Sequence, residues 1–381
     1  MEKIKLGDLC KPSAGQIKED EDTLIDYIDI SSVDNETKKI TGYQTIIFGE
    51  SPSRARKVVK RGNILVSTVR PNLNAVALLE EDTPNVTVAS TGFCVLESKD
   101  DVDPRFIFNF CKSKPFIDDM VSQATGASYP AVSDKIVRSA LVPKYSYQEQ
   151  QSISSVLDKL TGIIDGRRTE LLELDNLIKA RFVEMFGDPV SNPMNWECTR
   201  LADKCDIVTG NTPSRKVEKY YGNAIEWIKS DNITEDMFLT TAVEFLSSDG
   251  EKVGRTVEAG SILMTCIAGS LRSIGNVAVA NRKVAFNQQI NAIVPNNQNT
   301  YFMYEQFKLS KEHICSGVNM SLKGILSKGQ LSDISFIFPP IELQNQFAVF
   351  VHQVDKSKVA VQKALDETQT LFDSLMQEYF G

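Results

Sequence analysis

The chain has 381 residues, 42% apolar and 24% charged, an ordinary globular composition long enough for two domains. Its net charge of −8 argues against a uniformly basic face, yet the acidity is diffuse: residues 1–145, 146–187, 188–343 and 344–381 each carry −2, which leaves room for local basic patches. No apolar run approaches the roughly 18 residues of a membrane span, no apolar segment follows Met1 as in a signal peptide, and the 7 cysteines are scattered without a C-x-x-C pair, so a disulfide framework or zinc site is not expected and a cytoplasmic location is.

Arg54, Arg56, Lys57, Lys60 and Arg61 come first, ahead of a strand expected over 64–68. Such a cluster suits phosphate contacts; the competing reading is a solvated face. Just beyond that strand, Arg70, Asn72 and Asn74 lie in a loop broken by Pro71. Arginine forks onto guanine and asparagine onto adenine in the major groove, whereas simple turn chemistry also places Pro and Asn at the end of a strand. Further strands are expected over 86–89 and 93–96. After Pro143 a long helix is expected over 148–187. Ile153, Leu160, Arg167, Leu174 and Arg181 fall on one seven-residue step, with Leu157, Ile164, Leu171, Ile178 and Met185 interleaved. Arg167 and Arg181 on this seam either face a partner subunit or snorkel past the core, the latter being favoured.

The second half repeats this plan. Arg215 and Lys216 follow Thr212-Pro213-Ser214, and strands are expected over 262–266, 277–280 and 290–294. Ser270, Arg272 and Ser273 occupy the loop matching Arg70 to Asn74. Lys323 and Lys328 are a looser candidate pair near Gly324 and Gly329. Pro339-Pro340 then precede a second long helix over 344–381, with Phe347, Val354, Val361, Thr368, Leu375 and Val351, Lys358, Leu365, Phe372, Tyr379 on its two steps. Of the 20 seam positions, 16 are apolar, so neither helix can bury its stripe alone and the two are expected to pair.

The repeat is also visible residue by residue. Arg61-Gly62-Asn63-Ile64-Leu65-Val66-Ser67 matches Ala259-Gly260-Ser261-Ile262-Leu263-Met264-Thr265, Gln148 and Gln150 match Gln344 and Gln346 behind a Val-Pro or Phe-Pro pair, and Glu184-Met185-Phe186-Gly187 matches Glu378-Tyr379-Phe380-Gly381. The expected fold is therefore α/β: two mixed, strand-rich domains (1–147 and 188–343), each followed by one helix (148–187 and 344–381). The helices are expected to form an antiparallel coiled coil in a pseudo-two-fold internal repeat. Chemistry-bearing motifs are missing. There is no G-x-x-x-x-G-K-[ST] loop, no G-x-G-x-x-G after a strand, no H-E-x-x-H pattern, and Asn192-Pro193-Met194-Asn195 reads as a turn. No catalytic residue, metal ligand or cofactor site is expected.

Several of these segments carry a resemblance. Gly260-Ser-Ile-Leu-Met-Thr, Gly275-Asn-Val-Ala and Phe286-Asn-Gln-Gln-Ile-Asn-Ala-Ile resemble target-recognition domains of type I restriction–modification specificity (S) subunits, as do Gly62-Asn-Ile-Leu-Val-Ser and Ala89-Ser-Thr-Gly-Phe93. The stretch from Thr125-Gly126 through Pro143 to Gln148 resembles the exit of such a domain into its helix, and Met185-Phe186-Gly187-Asp188-Pro189 with Trp196 resembles the junction into the second domain. The chain departs from that pattern in having no tryptophan before the first domain and no Asp-Pro after Gly381. The resemblance implies a non-catalytic, DNA-binding subunit that reads a bipartite double-stranded DNA site. It implies two adenine-methyltransferase subunits docked on the helices, restriction or motor subunits joining for cleavage, and S-adenosylmethionine and ATP held by those partners. The rival readings are a stand-alone DNA-modifying or cleaving enzyme, and a scaffold or inhibitor with degenerate recognition loops.

Overall fold

The computed structural model describes residues 2–12, 15–18, 20–316, 318 and 324–381. Packing divides the chain into two units, Met1–Arg168 with Lys363–Gly381, and Thr169–Gln362. Each long helix is thus shared: by packing, its two ends belong to different units.

The first unit contains strands β1 (Lys3–Lys5), β2 (Leu24–Ile28), β3 (Gln44–Ile47), β4 (Ala55–Val58), β5 (Ile64–Ser67), β6 (Val76–Leu78), β7 (Val86–Ser90), β8 (Phe93–Leu96) and β9 (Leu141–Pro143). They form a four-stranded sheet in the order β3-β2-β7-β4, a three-stranded sheet β6-β5-β8 and the pair β1-β9, all antiparallel except β2 with β7. Strand β5 is buried along its whole length. Its side chains alternate between faces, so Ile64 and Val66 enter one core with Val76, Cys94 and Leu96, while Leu65 enters another with Ala77, Phe93 and Val95. That is why this strand reads as an unbroken apolar run.

The second unit contains β10 (Cys198–Arg200), β11 (Cys205–Thr209), β12 (Tyr221–Ile228), β13 (Phe245–Leu246), β14 (Thr256–Val257), β15 (Ile262–Thr265), β16 (Ile267–Ala268), β17 (Val277–Val279), β18 (Val284–Phe286), β19 (Ile290–Pro295), β20 (Gly324–Ile325) and β21 (Ser335–Ile337). Its sheets, β13-β12-β18-β14, β11-β19-β15-β17, β10-β21 and β16-β20, restate the first unit's plan, down to the single parallel pair, here β12 with β18. Ile262 and Met264 again face one core and Leu263 another.

The long helices are α1 (Tyr147–Phe186) and α2 (Ile341–Phe380), 40 residues each. All 20 expected seam positions are buried or half-buried, and α1 continues without interruption through Gly162 and Gly166. Within the second unit the two run antiparallel. Phe182 meets Phe347 with ring centroids 5.5 Å apart, and Lys358 Nζ pairs with Asp175 at 2.7 Å. Arg181, on the seam, lays its guanidinium over the Phe350 ring and reaches Glu184 at 2.7 Å, which is snorkelling. Within the first unit the Tyr145 hydroxyl, just before α1, donates to the carbonyl of Tyr379 at 3.2 Å, near the end of α2.

One glutamine near the start of each long helix has the same job, though Gln150 and Gln344 are not the pair that the sequence repeat aligns. Gln150 accepts from the N–H of Asp103 at 3.1 Å and Gln344 from that of Asn299 at 2.9 Å. Asp103 and Asn299 are the N-caps of the helices Pro104–Lys112 and Thr300–Leu309, so each long helix is latched to the start of its unit's core helix. The matched aromatics serve likewise. Phe380 packs on Phe106 and Phe110, and Phe186 on Phe302 and Phe347.

Candidate nucleic-acid interface

In the first unit β5 and β6 are joined by a loop whose tip is one 3-10 turn, Pro71–Leu73, bracketed by Arg70 (φ 50°) and Asn74 (φ 47°). A non-glycine residue in the left-handed region costs about 1 kcal/mol or more and persists only where its surroundings impose it. Here they do. The Arg70 N–H donates to Pro130 O at 2.7 Å, Val69 bridges Ala131, and the Val132 N–H donates to Thr68 O at 2.9 Å. Asn74, only 7% exposed, donates its side-chain amide to Cys111 O at 2.9 Å, and its main-chain carbonyl accepts from Lys38 Nζ at 2.7 Å. Asn74 is therefore a structural clamp and not a base reader, a correction to the sequence expectation. Asn72 stays exposed on the turn. The Arg70 guanidinium is also exposed and lies 4.9 Å from the centroid of the Tyr129 ring.

The second unit builds the same feature between β15 and β17. The 3-10 turn Leu271–Ser273 is capped by the Ser270 hydroxyl, which accepts from the Arg272 N–H at 3.3 Å. Lys311 Nζ donates to Arg272 O at 2.7 Å and to Asn276, and β16 pairs with β20 beside the turn. The Ser270 hydroxyl is thus committed to the cap, Ser273 is half-buried, and the Arg272 side chain is exposed.

The five-cation cluster does not form one patch. Arg54 pairs with Asp29 at 2.6 Å and donates to the Tyr27 hydroxyl. Arg56 lies over Phe48. Lys57 points inward, 18% exposed, with Nζ on Phe93 O at 2.6 Å and on Asp134 at 2.7 Å; it is a cross-link within the unit and cannot meet a phosphate. Lys60 shares Glu97 with Lys11. Burial pushes the Glu97 carboxyl up, but these two ammonium groups outweigh it and bring it below its ordinary range.

Arg215 is likewise drawn in. It lies over the rings of Tyr221 and Trp227, at 4.4 and 5.1 Å from their centroids, and bonds Glu244 at 2.6 Å. Lys229 and then Arg215 hold that carboxyl below its usual range. Lys328 opens a short helix, Lys328–Asp333, and is exposed. Lys323 lies outside the described residues. Among the described residues, then, the candidate cations whose side chains have neither an ion pair nor a hydrogen bond are Arg61, Arg70, Lys216, Arg272 and Lys328. Tyr129 was missed, because a single tyrosine between Gly126 and Pro130 gives no periodic or charge signal.

No set of His, Cys, Asp or Glu side chains among the described residues is placed to hold a metal ion, and no helix there is long and apolar enough to cross a membrane. All seven cysteines are free. Burial pushes the Cys10 thiol up to about 11 and those of Cys94, Cys205 and Cys266 to about 12, so these are thiols rather than thiolate nucleophiles at neutral pH.

Residues 1–175 and 193–368 each match the family model for the type I restriction modification DNA specificity domain. The chain belongs to that family. The two matched copies are the two halves of the repeat, and a specificity subunit of the type I kind is non-catalytic. Similar curated proteins are the type I restriction enzyme HindI specificity subunit of Haemophilus influenzae, 23% identical over 373 residues (77% of this chain, 80% of that one), and the MjaIX specificity subunit of Methanocaldococcus jannaschii, 21% identical over 342 residues (84% and 77%). Two solved structures share the fold. One chain, from a study of complex assembly and conformational transition of the type I R-M system, aligns with a TM-score of 0.63 at 23% identity, covering 100% of this chain and 97% of its own. The type I S subunit from M. genitalium aligns with a TM-score of 0.60 at 14% identity, covering 100% and 96%.

Proposed function

We propose that this specificity subunit reads a split double-stranded DNA site, with segment 1–147 contacting one half-site and segment 188–343 the other. Helical segments 148–187 and 344–381 form the docking surface for two adenine-methyltransferase subunits, and restriction or motor subunits join the complex for cleavage. S-adenosylmethionine and ATP belong to those partners, and the assembly works in the cytoplasm. The observation that carries this reading is the duplicated hairpin turn, which in each unit presents one exposed arginine, Arg70 or Arg272, whose side chain has no ion pair or hydrogen bond, on a pinned tip. A guanidinium held in that way can meet a base edge. Arg61, Lys216 and Lys328 are left for phosphates, a sequence-independent contribution.

The test is to exchange residues 1–147 for the matching segment of a relative, co-express the hybrid with its methyltransferase subunits, and map methyl-adenine across the host genome. One half-site should change and the other persist. A change in both, or in neither, rules out independent readers.

A further inference from the structure

Tyr129 is 68% exposed, the most open aromatic side chain of the first unit. No core claims it. Its position is nevertheless fixed from both sides in sequence. Thr125 and Ala131 pair across the segment, and Gly126, at φ 103°, makes a turn so close that a Cβ there would lie 2.8 Å from the Tyr129 carbonyl. The next residue, Pro130, accepts the Arg70 N–H. Two segments some sixty residues apart are thereby locked together, and the contact they present outward is the Arg70 guanidinium stacked on the Tyr129 ring.

The chemistry of that pair is directional. A guanidinium lying on an aromatic face keeps its edge N–H donors free and loses the freedom to rotate away. A phosphate contact asks only for positive charge, which exposed, unpaired cations such as Lys216 supply. A pinned left-handed backbone, a buried Asn74 clamp and an aromatic platform exceed that need and match what bidentate base reading demands. The fork of donors fits the O6 and N7 acceptors of guanine.

We infer that Tyr129 is the positioning residue for a guanine-reading Arg70, so that the half-site taken by the first unit contains a guanine whose major-groove edge meets this arginine. The inference rests on the proposed function and adds to it a base and the residue that presents the reader.

The full chain, co-expressed with its methyltransferase subunits, is offered a plasmid library of randomised duplex sites, and methyl-adenine is mapped. The wild-type half-site should contain a guanine that Arg70→Lys relaxes, with charge retained but the fork lost, lowering methylation of the guanine-containing site by about 5- to 150-fold. Tyr129→Ala should relax the same position alone and lower methylation about 3- to 10-fold, the loss of one cation–π contact. Tyr129→Phe keeps the ring and should restore the wild-type pattern. Equal weakening at every sequence would make Arg70 a phosphate contact and overturn the inference, as would a first half-site without guanine, or wild-type behaviour of Tyr129→Ala. The exchange of residues 1–147 separates the two levels. If it alters one half-site while Tyr129→Ala and Arg70→Lys alter none, the inference fails and the two-reader model stands. If the exchange alters neither half-site, both fail.

Discussion

Each unit is closed by an aromatic ring from the far end of a long helix, and removing that ring should weaken one unit and spare the other. Phe380 is 1% exposed, with ring centroids 5.4 Å from Phe106 and 5.9 Å from Phe110. Truncating a buried phenylalanine to alanine costs about 3–5 kcal/mol through lost transfer energy and the cavity left behind. With a urea m-value of about 2 kcal/mol/M for a unit of this size, Phe380→Ala should lower the first unit's midpoint by about 1.5–2.5 M. The chain supplies its own reporter, since its 2 tryptophans, Trp196 and Trp227, both lie in the second unit, where Trp196 Nε1 donates to Phe186 O at 2.9 Å. Far-UV circular dichroism should therefore gain an early phase in Phe380→Ala while the tryptophan transition stays in place. Phe186→Ala, fully buried against Phe302 and Phe347, should move the tryptophan transition by a similar amount. If Phe380→Ala carried the tryptophan midpoint down with it, the helices would transmit the loss and the units would not be separate in energy. If it shifted the dichroism by less than about 0.5 M, near 1 kcal/mol, the end of α2 would be fraying rather than closing a core.

Lys57→Met should behave as a stability mutant. It leaves Phe93 O and Asp134 without their donor, at about 1–3 kcal/mol by thermal unfolding, and leaves the salt dependence of DNA binding by the assembled complex unchanged; a slope reduced by about one would restore Lys57 as a phosphate contact. Glu305→Gln tests a buried carboxyl in the second unit. Burial raises Glu305 above the usual carboxylate range despite Lys308, so its ionisation above the unfolded value of about 4.3 penalises the folded state. The variant should therefore raise the urea midpoint of tryptophan fluorescence at pH 8, and the gain should fade as the pH drops toward 4. An equal gain at both pH values would assign it to packing instead of charge.

The helices, their seam and the duplicated plan were legible because each is a periodic or repeated signal. The apolar step of three and four residues recurs over five heptads, and Gln148 with Gln150 recurs as Gln344 with Gln346, each behind a Val-Pro or Phe-Pro pair. The short strands were legible too, since β5 and β15 are buried on both faces and read as apolar runs. What the sequence withheld was where each cation goes. Lys57 and Arg61 look alike in a string of basic residues, and only the fold brings Phe93 and Asp134, 36 and 77 positions away, to the side chain of the first, while at the second Asp82 takes the backbone N–H alone. Asn74 looked like a reader because its partner carbonyl, that of Cys111, lies 37 residues on. Arg215 was hidden in the same way by Glu244 and the rings of Tyr221 and Trp227. Tyr129 was invisible because its value lies in one partner from another segment. The parallel pairing of β2 with β7 was not legible either, since a register between strands nearly sixty residues apart leaves no local trace.

The sharing of α1 and α2 between the units also sets an order of assembly on the ribosome. The second unit draws all its residues from one continuous stretch, Thr169–Gln362, while the first waits for Lys363–Gly381 to complete it. At about 5–20 residues per second, the segment ending at Arg168 is out roughly 10–40 s before the helix turns bearing Phe372, Met376 and Phe380 can dock on it. The half that is made first is thus finished last. During that interval Phe106 and Phe110 lack the Phe380 ring that packs on them, so the nascent first unit presents an apolar seat that its own distant helix end comes to fill. Synthesis that stalls after Gln362 leaves the first unit unsealed while the second has all its residues, and marks the incomplete product by uncovered phenylalanines.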